Sequence, residues 1–229
     1  MSWSDGRLLG FDTETTGVNT AQARLVTAAI VVRDGGQDQT VTWLADPQVE
    51  IPQAAQRVHG ISTEYARENG SPARQVLAEV ADMLVEQLHE GLPVVAFNAP
   101  FDLALMEAEL ARHNLPTLRE RLGHLSPIVD PYVLDRYCWR YRKGKRTLSA
   151  TLPAYGLTVA QDMHTAEVDV RATLDLAQAI AARYPKVAQM EPGELHAHQV
   201  QWAKELEDSY AAFLRSRGRT PRPRGPWPI

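Results

Sequence analysis

The sequence predicts a mixed α/β sandwich: an antiparallel three-strand meander, then strand–helix units, with helices on both faces of one sheet. Three observations predict it. Residues 8–11 and 25–32 are apolar runs of strand length, the second rich in β-branched residues. Asp34-Gly35-Gly36-Gln37 then gives a hairpin signal before the alternating Thr40-Val41-Thr42-Trp43-Leu44. Beyond residue 90, short apolar runs lead directly into helical stretches, as in parallel crossover units.

The elements follow in order. Residues 8–11 run into Asp12-Thr13-Glu14, and a Thr15-Thr16-Gly17 turn ends the strand. Residues 24–34 form a long central strand, and 40–44 an outer strand with one wet face. A short helical piece spans 53–58, and Ser62 caps another short helix to 68. Ser71-Pro72 opens an amphipathic helix with Leu77, Val80, Leu84 and Leu88 at helical spacing, stopped by Gly91. Residues 93–97 form a short buried strand, and Pro100 suits the first turn of a helix running to 113. Residues 127–130 are a third candidate parallel strand, with a helix from Pro131 and a small helical section closing at Gly156. The helix over 165–184 carries a stripe of Val170, Leu174, Ala177, Ala181 and Tyr184, with Asp169 on its inward side. A last helix over 192–217 places Trp202, Leu206, Tyr210 and Phe213 on one face. Residues 218–229 hold four prolines, two glycines and three arginines, the composition of a flexible or surface-draped tail.

At 229 residues, 44% hydrophobic and 23% charged, the chain suits one domain with an appendage. The expected division is a main domain over 1–186, a helical extension over 187–218 and a Pro/Arg-rich tail over 219–229. A net charge of -4 excludes a generally basic nucleic-acid coat. The charge is uneven: 215–229 carries five arginines and no acid, leaving -9 on the remainder. The single cysteine, Cys138, excludes an internal disulfide and fits a reducing compartment. With no secretion-signal pattern and no run of transmembrane length, the expected location is the cytoplasm, with no membrane partner.

Side chains alternate along a strand, so Asp12 and Glu14 share one side of the sheet. Two like charges beside an apolar run repel and lose hydration, which a hard divalent cation would offset. Acids facing water at a strand end are the other reading of an isolated D-x-E. Asp102 stands in the first turn of a helix, where a carboxylate also interacts favourably with the helix dipole. Asp169, inward on an apolar helix, costs free energy unless paired. His164, at the mouth of that helix, is by itself either a capping or solvated residue or a functional imidazole. Residues 136–146 hold six basic residues and three aromatics. They read as a solvated helix end with inward aromatics, or as a phosphate-tracking rim with base stacking. His59 and Ser62 read as a turn and a cap, or as substrate contacts.

Three separated motifs weaken the bland readings of the acids and of His164. Phe11-Asp12-Thr13-Glu14-Thr15-Thr16-Gly17, Asn98-Ala99-Pro100-Phe101-Asp102 and His164-Thr165-Ala166-Glu167-Val168-Asp169, in this order, resemble the DEDDh exonucleases. That group includes the proofreading epsilon subunit of bacterial DNA polymerase III and RNase T. The tyrosine with three intervening residues that marks the DEDDy branch is absent. Arg57-Val58-His59-Gly60-Ile61 is similar to the segment these enzymes place after the third strand. The resemblance covers roughly residues 7–185. It implies a ribonuclease-H-like fold with a five-stranded mixed sheet. It also implies a 3′–5′ exonuclease that uses two Mg2+ or Mn2+ ions and releases nucleoside 5′-monophosphates. Asp12 would bridge both ions, with Glu14 and Asp169 helping to hold the one that carries the attacking water. Asp102 would serve the leaving-group side, and His164 would take the proton from the water. Thr13, Thr15, His59, Asn98 and Phe101 are the expected substrate contacts, with Arg140, Lys143 and Arg146 on the basic rim. The expected partners are single-stranded nucleic acid 3′ ends and, through the C-terminal region, a polymerase or replication protein acting in trans. DNA is the expected substrate, in proofreading or repair. RNA or oligoribonucleotide ends are the alternative, and a non-catalytic partner-binding module is a lesser one, against which all five site residues argue.

Overall fold

The computed structural model describes residues 2–160, 165–221 and 225–229. Three long strands come first: β1 (Leu8–Thr15), β2 (Leu25–Asp34) and β3 (Gln37–Asp46). Helices α1 (Gln53–His59) and α2 (Thr63–Asn69) follow, then β4 (Ser71–Pro72) and α3 (Ala73–His89). The crossover part comprises β5 (Val94–Val95), α4 (Pro100–Arg112), α5 (Leu118–Leu122), β6 (Ile128–Val129) and α6 (Pro131–Cys138). The chain continues with α7 (Leu148–Thr151), α8 (Ala166–Arg183), α9 (Pro185–Ala188) and α10 (Pro192–Ser216).

The strands form one sheet in the order β4-β3-β2-β1-β5-β6. The meander β1–β2–β3 is antiparallel, as the hairpin signal requires, and β5 and β6 add in parallel beside β1. The sheet has six strands where five were expected. The extra one is β4, a two-residue parallel pairing with the end of β3. Ser71 and Pro72 read as a helix start. Proline lacks the N–H of a ladder donor, so Pro72 fits only at an edge, which is where β4 lies.

Helix α8 lies across β1 and β2, burying Val170, Leu174, Ala177 and Ile180. Its approach depends on Gly10: a Cβ there would stand 2.5 Å from Cγ1 of Val170 and 2.9 Å from Cγ of Leu174. Gly10, Asp12 and Glu14 alternate onto the same face of β1. The residue without a side chain thus lets α8 settle on the strand that carries the two acids.

Helix α10 covers the open edge of the sheet. Gln199, fully buried, donates from Nε2 to the Ile128 carbonyl at 2.9 Å and accepts at Oε1 from the Asp130 N–H at 2.8 Å. His196 Nδ1 accepts from the Ile128 N–H at 3.1 Å. These side chains satisfy backbone groups that an edge strand would otherwise leave unpaired. The expected aromatic face of α10 is only partly packed. Trp202 is buried and stacks on Tyr137 at 3.8 Å, whereas Tyr210 and Phe213 are about half exposed. The tail departs from expectation: Trp227 and Pro228 are buried, and Trp227 joins the main core with Leu195 and Trp202. Among the described residues no helix is long and apolar enough to cross a membrane.

Candidate active site

β1 delivers Asp12 and Glu14 to the face on which α8 sits, and the first turn of α8 delivers Asp169. One carboxylate oxygen from each of these three lies within 4.8 Å of the others. Asp102, in the first turn of α4, approaches from the β5 side and is 3% exposed. Its Oδ1 accepts from the Thr13 N–H at 3.0 Å and the Thr13 hydroxyl at 2.7 Å. That tether fixes Asp102 to the strand residue lying between the other two acids.

The electrostatics follow from crowding. Burial, then the charges of Asp102, Glu14 and Asp169, push the Asp12 carboxyl well above the ordinary carboxylate range. Glu14 is pushed up to about 7 by burial, Asp169 and Asp102. Burial raises Asp102 to about 7 although the Thr13 hydrogen bonds act in the opposite direction. Such a group of acids is strained without a compensating cation. Among the described residues, three convergent carboxylate oxygens make a donor set suited to a hard divalent cation.

The RNase_T exonuclease family profile matches residues 9–177, about three quarters of the chain and the described strands apart from Leu8. This chain belongs to the exonuclease family. Among curated relatives, DNA polymerase III PolC-type of Streptococcus agalactiae is 28% identical over 174 residues, 76% of this chain and 11% of the relative. The Streptococcus sanguinis protein of the same name is 27% identical, with the same coverage. The chain therefore spans about a tenth of the length of the curated relatives it matches. Among solved structures, E. coli Exonuclease I in complex with a dT13 oligonucleotide superposes with a TM-score of 0.67 at 20% identity, over 80% of this chain and 42% of that one. Exonuclease I from Methylocaldum szegediense gives 0.64 at 23% identity, over 79% and 41%. At these identities the likeness is one of fold, and it agrees with the mixed sheet of this exonuclease-family chain.

The other expected site residues separate into groups. His164 lies outside the described residues. His59 is buried at the end of α1, with Nδ1 accepting from the Ile61 N–H at 3.2 Å. Burial lowers its pKa, the Thr15 backbone acts against that, and its Nε2 makes no close hydrogen bond among the described residues. The Thr13 hydroxyl donates to Asp102, and the Thr15 hydroxyl to the Gly17 carbonyl at 2.7 Å, so each keeps only acceptor capacity for a ligand. Asn98 is exposed at φ 64°, the left-handed region, and Phe101 is half-buried beside Asp102.

The cations of the basic segment divide into engaged and exposed ones. Asp135, 1% exposed, accepts from Arg142 at 2.9 Å, Arg146 at 2.6 Å and the Tyr155 hydroxyl at 3.0 Å. Arg146 also donates to the carbonyls of Trp139 and Arg142. Arg146, expected on the rim, clamps Asp135: a buried carboxylate demands its charge, and the loop carbonyls take further donors. Trp139 lies under the Arg183 guanidinium at 4.0 Å and edge-on to Tyr155, so it is not an open stacking platform. Arg140 and Lys143 remain exposed, as does Tyr141.

Sequence reasoning missed two contributors. Gly10 was absorbed into an apolar run. Asp130, fully buried, accepts from the N–H groups of Asn98 and Tyr132, each at 2.9 Å, and of Ala99 at 3.1 Å. Its signal was available: an aspartate immediately before Pro131 is a helix N-cap pattern.

Proposed function

We propose that this chain is a two-metal-ion 3′–5′ exonuclease that removes nucleoside 5′-monophosphates from single-stranded DNA ends, in proofreading or repair. The observation that carries the reading is the convergence of Asp12, Glu14 and Asp169, with Asp102 tethered alongside through Thr13. The relatives named as DNA polymerase III and the DNA-bound Exonuclease I support DNA as the substrate. A polymerase or replication partner reached through the C-terminal region belongs to the same reading.

Asp12, Glu14 and Asp169 would hold one Mg2+ or Mn2+ ion, and Asp12 with Asp102 the second. When bound, the ions supply the positive charge that offsets the phosphate oxygens and the departing alkoxide. The chain's own residues do the rest. Thr13 keeps Asp102 in register with Asp12. His59, at the Thr15 end of β1, and Phe101, at the start of α4, border the terminal nucleotide. His164 accepts the proton of the attacking water, the general-base task an imidazole side chain can perform. Arg140 and Lys143 draw the polyanion toward an otherwise acidic site.

The test compares matched 5′-labelled DNA and RNA single strands in Mg2+ and in Mn2+, with Asp12→Ala as the control. Faster shortening of DNA, lost in the variant, supports the proposal. Preferential shortening of RNA would replace DNA with RNA as the substrate, and equal residual activity in Asp12→Ala would refute the site.

A further inference from the structure

We propose that Trp227 is a positioning residue for the candidate active site: by completing the hydrogen bonds of Asp130, it fixes the turn from which Asp102 is presented. The indole Nε1 donates to Asp130 Oδ2 at 3.2 Å in a buried setting, across 97 residues of sequence. The same Oδ2 accepts from the Ala99 N–H, and Oδ1 from the N–H groups of Asn98 and Tyr132. Four donors thus converge on one carboxylate, and the tail supplies one of them.

The link to Asp102 runs through backbone. The Asn98 carbonyl accepts from the Phe101 N–H at 3.0 Å, and the Ala99 carbonyl from the Leu103 N–H at 3.1 Å. These are the first turns of α4, so the two residues anchored by Asp130 begin the helix that carries Asp102. Asn98 holds a left-handed backbone, which L-residues adopt at a cost, and its N–H bond to Asp130 offsets that strain. Asp102 is consequently located from two sides: from β1 by Thr13, and from the sheet edge by Asp130 with Trp227 behind it. Trp227 is itself seated against the His196 ring of α10 at 5.1 Å between centroids. The C-terminal extension and the tail together therefore back the catalytic turn, rather than trailing from the domain.

The kinetic part of this proposal rests on the nuclease reading; the structural part does not. The experiment uses Trp227→Phe in the full chain, which retains an aromatic ring and removes the N–H, with Trp227→Ala beside it. Amide hydrogen exchange is followed at Asn98 and Ala99 and along β1 and β2, with kcat and KM measured on a single-stranded oligodeoxynucleotide. In Trp227→Phe, exchange at Asn98 and Ala99 should quicken by about tenfold, the scale of one hydrogen bond to a charged group. The β1 and β2 amides should be unchanged, and kcat should fall severalfold while KM stays put. Unchanged exchange at Asn98 and Ala99 would overturn the proposal. So would acceleration spread evenly over the sheet, which means general destabilisation, or faster local exchange with an unaltered kcat. If neither wild type nor variant cleaves nucleic acid, the nuclease reading fails, and the exchange data alone decide whether Trp227 holds the turn.

Discussion

Replacing Glu14 by glutamine in protein freed of divalent ions measures the cost of holding its buried, crowded carboxylate ionised. Burial, Asp169 and Asp102 raise the Glu14 carboxyl from 4.5 to about 7. An acid whose pKa is higher when folded favours the folded state in its protonated form. Stability is therefore lost as pH rises from the unfolded value through about 7. The displacement corresponds to about 3 kcal/mol once both states are ionised near pH 8, and to under about 1 kcal/mol at pH 5. Glutamine keeps the shape and carries no charge. At pH 8 in EDTA, Glu14→Gln should exceed wild type by up to ~3 kcal/mol, a rise in Tm of roughly 5–10 °C for a chain of this size. At pH 5 most of that difference should disappear. With Mn2+ at pH 8 the order should reverse, because only the full set of carboxylates gains the binding free energy. Thermal unfolding followed by circular dichroism, at both pH values with EDTA or Mn2+, reads all of this. Equal Tm values for the two proteins at pH 5 and pH 8 in EDTA would refute the picture of a buried carboxylate crowded by like charges.

Other substitutions separate roles. Gly10→Ala places a methyl group against Val170 and Leu174; it should cost about 1–3 kcal/mol by overpacking and lower turnover more than tenfold as α8 shifts, which denaturant titration and a nuclease assay would detect. Arg146→Ala leaves Asp135 with Arg142 as its remaining cation; it should cost about 2–3 kcal/mol on urea unfolding and leave the salt dependence of KM alone. Neutralising Arg140 and Lys143 together should do the reverse, raising KM and flattening its salt dependence with little change in stability. His164→Ala should lower turnover by about 10²–10⁴ while metal binding persists, and the acidic limb of the rate profile should vanish or move; a wild-type rate with the same limb would place the general base elsewhere.

Local pattern carried most of the fold and the centre of the site. The Asp34-Gly35-Gly36-Gln37 turn is enough to fold β2 onto β3, and strand alternation places Asp12 and Glu14 on one face. The helical stripe of α8 similarly points Asp169 inward. What stayed hidden depends on partners distant in sequence. Ser71-Pro72 becomes a strand only because the end of β3 offers it an edge. Arg146 looks like any exposed cation until the buried Asp135 is seen to need it. Trp227 sits in a stretch whose proline and arginine content argues for no fixed structure, and its anchor is 97 residues away. Gly10 is indistinguishable from other small residues in an apolar run until α8 lies against it.

The central claim is that these carboxylates cut nucleic acid one nucleotide at a time from a free 3′ end with divalent metal. The most direct measurement incubates a 5′-labelled single-stranded oligonucleotide, with either a free or a blocked 3′ terminus, in Mg2+, Mn2+ or EDTA, beside the Asp12→Ala protein. The account predicts a ladder shortening from the free 3′ end in Mg2+ or Mn2+, nucleoside 5′-monophosphate as product, and no cleavage of the blocked strand, in EDTA or by Asp12→Ala. Equal cleavage of free and blocked strands, or cleavage that persists in EDTA, would contradict it.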